Sequence, residues 1–229
     1  MRARRRLTWL FDLYNTLHDA SHAIFPAIND NMNAAIARVL VAEQKPAHPE
    51  AVDAIRMAYW QRYGATLLGM MRHHAVSADE FLRDAHRFDN LSTMIRAEGG
   101  LARLFHRLPG TKILLTNAPT AYAHEVVRHI GLYRHFAERI SIESMVVHRK
   151  LRPKPSRLML QEILARRGLR ARDCVLVEDT HANLKSAKSL RVRTVWFTGY
   201  LKSVAHRPGY VDVKVKSLSQ LPKRLRRLM

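Results

Sequence analysis

The chain has 229 residues, 47% of them hydrophobic, and a formal net charge of +20 from 39 Lys and Arg against 19 Asp and Glu. This apolar fraction excludes a disordered polypeptide, and the length suits one domain core or one core with an insertion. No apolar run approaches the roughly 18 residues that cross a bilayer, so we predict no contact with membranes. The single cysteine, Cys174, excludes an internal disulfide framework and favours a reducing, cytoplasmic location.

The first predicted element is a short buried strand, Thr8–Phe11. The stretch that follows shows no convincing strand and has helical periodicity instead, with helices predicted at Phe25–Ala42, Pro49–Tyr63 and Ala78–Phe88. The simplest interpretation is a helical cap inserted at 18–90, while 1–17 and 91–229 form the core. Such an insertion can cover an active site as a lid.

The rest of the chain alternates between short β-branched runs and amphipathic stretches. This alternation is typical of an α/β protein with a mainly parallel sheet. The further predicted strands are Lys112–Leu115, Arg139–Ile142, Cys174–Val177, Arg193–Phe197 and Val211–Val215. The helices between them are predicted at Tyr122–Ile130, Arg157–Arg167 and His181–Leu190.

Polar side chains follow three of the predicted strands. Asp12 follows the first, Thr116-Asn117 the second, and Glu178-Asp179 the strand that begins at Cys174. The carboxyl ends of parallel strands lie along one edge, where open α/β sheets bind ligands. Carboxylates crowded there repel one another unless a cation binds, and Mg²⁺ prefers oxygen ligands. Lys154, between two prolines, adds a positive charge that suits a phosphate.

Four strings resemble the motifs of one enzyme family. They are FDLYNTL at 11–17, LLTNAP at 114–119, RPKP at 152–155 and VEDTHANLKSA at 177–187, and they resemble the motifs of haloacid dehalogenase-like hydrolases. The resemblance extends over nearly the whole chain and implies a Rossmann-like core with an inserted helical cap. The stretches HDASHAIFPAIN at 18–29 and LRPKPS at 151–156 are most similar to the pyrimidine 5'-nucleotidase group.

The resemblance implies a Mg²⁺-dependent phosphomonoester hydrolase with a small phosphorylated substrate, in the first place a pyrimidine nucleoside 5'-monophosphate. Asp12 would be the nucleophile that forms an aspartyl-phosphate, and the catalytic residues would be Asp12, Tyr14, Thr116 and Lys154. The implied phosphate-binding residues are Asn15, Thr16, Thr116, Asn117 and Lys154. The implied metal ligands are Asp12, the backbone carbonyl of Tyr14, Glu178 and Asp179.

Tyr14 departs from the phosphatase pattern. The family's phosphatases have a second aspartate at this position, which protonates the leaving oxygen and then activates the water that cleaves the aspartyl-phosphate. A phenol with an ordinary pKa of about 10 can donate a proton but is a poor base at neutral pH. Loss of general acid/base catalysis costs on the order of 10²- to 10⁴-fold in rate. We therefore expect weakened turnover.

Two other functions remain open. True 2-haloacid dehalogenases of the family have tyrosine at this position, but they have glycine next and lack the acidic metal pair, whereas here Asn15 follows and Glu178-Asp179 is present. The second alternative is a catalytically impaired binding or regulatory domain with affinity for nucleic acid. The charge of +20 is compatible with that partner, but no nucleic-acid-binding module or interleaved aromatic pattern accompanies it. Monomer and homodimer are both compatible with the sequence.

The 13 histidines suggest no metal site. His18 and His22 have one-turn spacing if that segment is helical, but the sequence fixes no third ligand, and we interpret them as surface or cap histidines. A modest role near the cap hinge stays open for His18 or Asp19. His73-His74 is predicted to lie in a loop.

Overall fold

The computed structural model describes residues 7–228. The backbone forms two compact units: His22–Met94 is the helical unit, and the chain up to Ser21 together with the chain from Ile95 onward is the sheet unit. The predicted cap, 18–90, is offset from the helical unit by four residues at each end. The offset at the start arises because His18 and Ala20 are fully buried and Asp19 N–H donates to the Arg96 carbonyl within the sheet unit. The assignment of the helical unit as a cap stays a prediction.

The helical unit has five helices among its residues: α1 (Ile24–Ala42), α2 (Pro49–Tyr63), α3 (Thr66–His73), α4 (Ala78–Ala85) and the short α5 (Leu91–Met94). Pro49 begins α2 at a position where its missing N–H costs no hydrogen bond, and Gly64 ends that helix with φ of 79°. Ser77 caps α4 by accepting from the Glu80 N–H. The predicted loop at His73-His74 is correct for His74 and wrong for His73, which is the last residue of α3.

Eight strands occur among residues 7–228: β1 (Thr8–Phe11), β2 (Thr111–Leu115), β3 (Glu138–Ile140), β4 (Val146–Val147), β5 (Lys150–Leu151), β6 (Cys174–Glu178), β7 (Arg193–Phe197) and β8 (Val213–Val215). Six of them form a sheet in the order β3-β2-β1-β6-β7-β8, with every neighbouring pair parallel. The other two, β4 and β5, form an antiparallel hairpin. The predicted α/β class with a mainly parallel, Rossmann-like sheet is confirmed.

Both faces of the sheet are covered, which is why its central strands are continuous hydrophobic runs. All four residues of β1 are buried. Leu10 points to a core that also contains Ile113, Leu176 and Ile163. Phe11 points to the opposite face, where its ring centroid lies 4.7 Å from that of Phe105.

Five helices of the sheet unit connect or follow the strands: α6 (Leu101–Arg107), α7 (Thr120–His129), α8 (Arg157–Arg166), α9 (His181–Ser189) and α10 (Leu221–Leu228). The predicted helices at Tyr122, Arg157 and His181 correspond to α7, α8 and α9, and α6 and α10 were not predicted. None of the helices within residues 7–228 has the length and apolar character that crossing a membrane requires.

Candidate active site

The predicted nucleophile, Asp12, follows the last residue of β1 and is only 4% exposed. Its backbone N–H donates to the Val177 carbonyl at 3.0 Å, which holds it beside the end of β6. Its two carboxylate oxygens have different partners: the Lys154 ammonium donates to Oδ1 at 2.5 Å, and the Thr16 hydroxyl donates to Oδ2 at 3.2 Å. The carboxylate of Asp12 is therefore oriented by hydrogen bonds from two separate segments.

Three carboxylates meet at the carboxyl edge of the sheet. One ligand oxygen each from Asp12, Glu178 and Asp179 lies within 4.8 Å of the others, and Lys154 Nζ also donates to Glu178 at 2.9 Å. When all three carboxylates are ionised, they and the one ammonium leave an excess of two negative charges. Hard oxygen donors and this excess fit a divalent cation such as Mg²⁺. The predicted side-chain ligands are thus brought together.

The same crowding changes the proton affinities of these acids. Burial and the neighbouring Glu178 raise the pKa of Asp12 to about 7, although Lys154 opposes this. Burial and Glu178 likewise raise the pKa of Asp179 to about 9. Despite burial, which acts to raise it, the pKa of Glu178 is lowered, chiefly by the positive charge of Lys154. A bound cation would favour the ionised form of all three carboxylates.

Lys154 is positioned through its backbone. The Asn117 amide donates to the Lys154 carbonyl and accepts from the Lys154 N–H, both at 2.9 Å. The Lys154 side chain is buried, and the carboxylates of Asp12 and Glu178 raise its pKa above the ordinary value against the effect of burial. Two residues later, the Ser156 hydroxyl accepts from the Met159 N–H and caps α8. The lysine is therefore a fixed positive charge.

The structure assigns structural roles to two residues that were predicted to bind phosphate. The Asn117 amide is occupied by the Lys154 backbone, as described above. The Asn15 side-chain oxygen accepts from the Ala20 and Ser21 N–H groups at 3.0 and 3.1 Å, which closes the loop after β1. Their phosphate binding stays a prediction. Thr116 keeps its hydroxyl proton available for donation, because its Oγ1 accepts from the Ala118 N–H at 3.0 Å.

A family comparison agrees with this geometry. The family model described as haloacid dehalogenase-like hydrolase matches residues 8–191. The chain belongs to the haloacid dehalogenase-like (HAD) hydrolases.

Solved HAD structures have the same fold. The HAD phosphatase of Thermococcus onnurineus has a TM-score of 0.64 at 15% identity, covering 96% of this chain and 97% of that chain. A 2-haloacid dehalogenase of Pseudomonas syringae has a TM-score of 0.58 at 23% identity, covering 98% and 100%. The magnesium-bound HAD-hydrolase YfnB of Bacillus subtilis has a TM-score of 0.60 at 14% identity, covering 97% and 99%. At these identities the likeness concerns the fold alone.

In this HAD hydrolase Tyr14 belongs to a cluster of three rings. The Tyr14 ring stacks on Tyr122 with centroids 5.3 Å apart, and the His18 ring lies 5.8 Å from Tyr14. The Tyr122 hydroxyl and His18 Nε2 are hydrogen-bonded at 3.2 Å. Burial, with smaller contributions from Tyr122 and Asp12, raises the pKa of Tyr14 well above its ordinary value. The Tyr14 phenol therefore stays protonated at neutral pH.

Sequence reasoning missed two members of this cluster. His18 was interpreted as a surface or cap histidine, which is wrong: it is fully buried in the sheet unit, and burial lowers its pKa to about 4. Tyr122, in the first turn of α7, was assigned no role. The sequence carries no signal for this contact, because 104 positions separate His18 from Tyr122 and only the parallel pairing of β1 with β2 brings them together.

Proposed function

We propose that this HAD hydrolase is a Mg²⁺-dependent phosphomonoester hydrolase with weakened turnover. The observation that carries the proposal is the group of three carboxylates, Asp12, Glu178 and Asp179, with ligand oxygens within 4.8 Å and one buried lysine between them. Such a group attracts a divalent cation, and a cation beside a lysine suits the charge of a phosphoryl group.

The same observation counts against a 2-haloacid dehalogenase, the other activity among the structural neighbours. Attack of Asp12 on carbon needs no metal, so the acidic pair Glu178-Asp179 would only add two negative charges beside the nucleophile. The feature that favours dehalogenation is Tyr14. That residue is compatible with both chemistries, because only its backbone carbonyl is expected to bind metal.

In the proposed reaction the Asp12 carboxylate attacks phosphorus, the bond from phosphorus to the ester oxygen breaks, and an aspartyl-phosphate forms. Lys154 holds the carboxylate through Oδ1 and faces the incoming charge. Bound Mg²⁺ would supply neutralisation of the phosphoryl charge. A proton must reach the leaving alkoxide, and Tyr14 is a protonated group two residues from the nucleophile.

The second half of the reaction is the slow one. Water attacks the aspartyl-phosphate at phosphorus, inorganic phosphate leaves, and Asp12 is regenerated. A base must accept the proton of that water. The Tyr14 phenol remains protonated because burial raises its pKa, so it supplies no base. We therefore propose that the phosphoenzyme accumulates.

Pyrimidine nucleoside 5'-monophosphates are the proposed substrates. The support is the similarity of HDASHAIFPAIN at 18–29 and LRPKPS at 151–156 to the pyrimidine 5'-nucleotidase group.

The test is a panel of nucleoside monophosphates and sugar phosphates, assayed with Mg²⁺ on the natural chain and on Tyr14→Asp. We expect a burst of product of about one equivalent from the natural chain, and a steady-state rate on the order of 10²-fold higher for Tyr14→Asp, because the variant regains a carboxylate base. Asp12→Asn is the inactive control. An unchanged steady-state rate in Tyr14→Asp would overturn the assigned defect.

Halide release distinguishes the two enzyme classes. Chloride release from 2-haloacids is measured with and without EDTA, beside the phosphatase assay. Release that persists in EDTA, without any phosphatase activity, would replace the proposed function by dehalogenation.

A further inference from the structure

The positive charge is confined to one of the two units. The helical unit, His22–Met94, has seven Lys and Arg against eight Asp and Glu, whereas the remaining sequence has 32 against 11. The net charges are therefore −1 and +21. A catalytic site for one phosphate uses only Lys154 among these cations, so it does not account for the excess.

Part of this positive charge lies where the strands of the sheet begin, opposite the candidate active site. Each helix from α6 to α9 is followed by a strand of the sheet, so the last turns of these helices lie at this amino edge. The end of α10 lies there as well, because the Arg193 guanidinium at the start of β7 donates to the Leu228 carbonyl at 2.5 Å. Basic residues occupy the last turn of all five helices.

Six arginines of this edge are exposed and form no salt bridge within residues 7–228. These residues, the basic edge, are Arg107, Arg134, Arg172, Arg191, Arg226 and Arg227. The acids nearby are already paired: Glu138 with Arg167, Asp173 with Arg170, and Asp212 with Lys188. The basic edge therefore has uncompensated charge that is available to a ligand.

Helix dipoles do not account for the basic edge. The helix dipole stabilises a cation in a last turn, and this explanation applies to Arg107, Arg226 and Arg227 at most. Arg134 precedes β3, Arg172 precedes β6, and Arg191 precedes β7, all outside the α-helices. An anionic ligand explains both groups of arginines.

The basic edge does not resemble a membrane-binding surface. Membrane-surface helices combine basic residues with exposed apolar ones. The first and last leucines of α10, Leu221 and Leu228, are buried in the protein. Three of the four large exposed hydrophobic residues described in the sheet unit follow the carboxyl ends of strands, namely Leu158, Leu201 and Val204, and the fourth, Val146, belongs to the β4–β5 hairpin.

We propose that the basic edge is a second binding site, which binds the phosphodiester backbone of a nucleic acid. The guanidinium group of arginine binds phosphate through its planar fork of donors. Several unpaired arginines along one edge match a ligand with repeating phosphates better than a ligand with a single phosphate. No exposed Phe, Tyr or Trp lies among the described residues of this edge. The binding is therefore independent of base sequence, since contacts to phosphate carry no sequence information.

The experiment measures the anisotropy of a labelled 20-nucleotide RNA, and of DNA of the same sequence, titrated with the full chain between 50 and 300 mM KCl. The variant combines Arg134→Gln, Arg172→Gln, Arg226→Gln and Arg227→Gln. The control removes the same charge from exposed positions of the helical unit with Arg62→Gln, Arg72→Gln, Arg83→Gln and Arg87→Gln. Thermal unfolding of both variants checks that they fold like the natural chain.

We expect the edge variant to bind at least tenfold more weakly at 100 mM KCl, and its log–log salt dependence to be shallower by about 3. The control variant should bind within twofold of the natural chain. Equal loss in both variants would overturn the proposal, since net charge alone would then explain binding. Absence of oligonucleotide binding by the natural chain would also overturn it, as would binding only to phosphatidylserine vesicles in a parallel sedimentation assay.

Discussion

The two edges of the parallel sheet differ in how their charged side chains are compensated. At the carboxyl edge, three carboxylates and Lys154 are packed so closely that each charge has a partner within hydrogen-bond distance or a place for a cation. At the amino edge, six arginines face solvent without ion pairs in the described chain. Water screens an exposed charge, whereas a buried charge must be compensated by the protein or by a ligand.

Removal of the buried cation is expected to have the greatest consequence for activity and stability. Lys154→Met leaves Asp12 and Glu178 without their ammonium partner. We expect kcat/KM to fall by at least 10³-fold, and the free energy of unfolding without Mg²⁺ to fall by about 3–5 kcal/mol, the usual cost of breaking a buried ion pair. Steady-state kinetics and urea unfolding measure the two effects.

Lys223→Met is the matched control for this change, because Lys223 is exposed on α10 and has no ion pair within residues 7–228. It should change the free energy of unfolding by less than about 0.5 kcal/mol. Equal losses in the free energy of unfolding from the two substitutions would contradict the importance that we assign to the burial of Lys154.

Removal of the metal is the next test. We expect EDTA to abolish phosphatase activity, and Mg²⁺ at about 100 times its Kd to raise the free energy of unfolding by about 2.7 kcal/mol. Asp179→Asn should remove most of that Mg²⁺-dependent stabilisation, because it deletes one carboxylate of the group. Thermal unfolding with and without Mg²⁺ measures it. A Tm that does not respond to Mg²⁺ in the natural chain would contradict the metal site.

We expect the weakest effect at His86. This residue belongs to the helical unit and therefore to neither edge of the sheet. Burial lowers the pKa of His86 to about 4, so the folded chain favours the neutral ring. In the unfolded chain the His86 ring takes up a proton near pH 6.5. The free energy of unfolding should therefore fall as pH decreases from about 6.5 towards 4. Between pH 7 and 5 the loss is on the order of 1–2 kcal/mol.

Urea unfolding at the two pH values, compared with His86→Gln, measures this contribution. The variant should lose less stability than the natural chain over that interval. His206→Gln, at an exposed position, is the control substitution. Identical pH profiles of all three proteins would contradict the effect assigned to His86.

Much of the fold follows from local pattern. The run Thr8–Phe11 is fully buried as predicted, because a strand covered on both faces must be apolar along its whole length. The limits of α2 follow from Pro49 and Gly64, whose backbone preferences act locally. The helices α3, α5, α6 and α10 have four to eight residues and were not predicted, although the equally short α4 was.

Motif residues and strand ends are local features, so the sequence was enough to predict which residues would carry the proposed chemistry at the ends of β1, β2 and β6. Tertiary structure alone decided what surrounds them. Asn117 positions the Lys154 backbone across 37 residues of sequence, and His18 is buried against Tyr122 across 104. The basic edge is likewise composed of arginines from separate segments, which the parallel order of strands brings to one side. Such contacts depend on strand order and register, and no local preference of the chain encodes them.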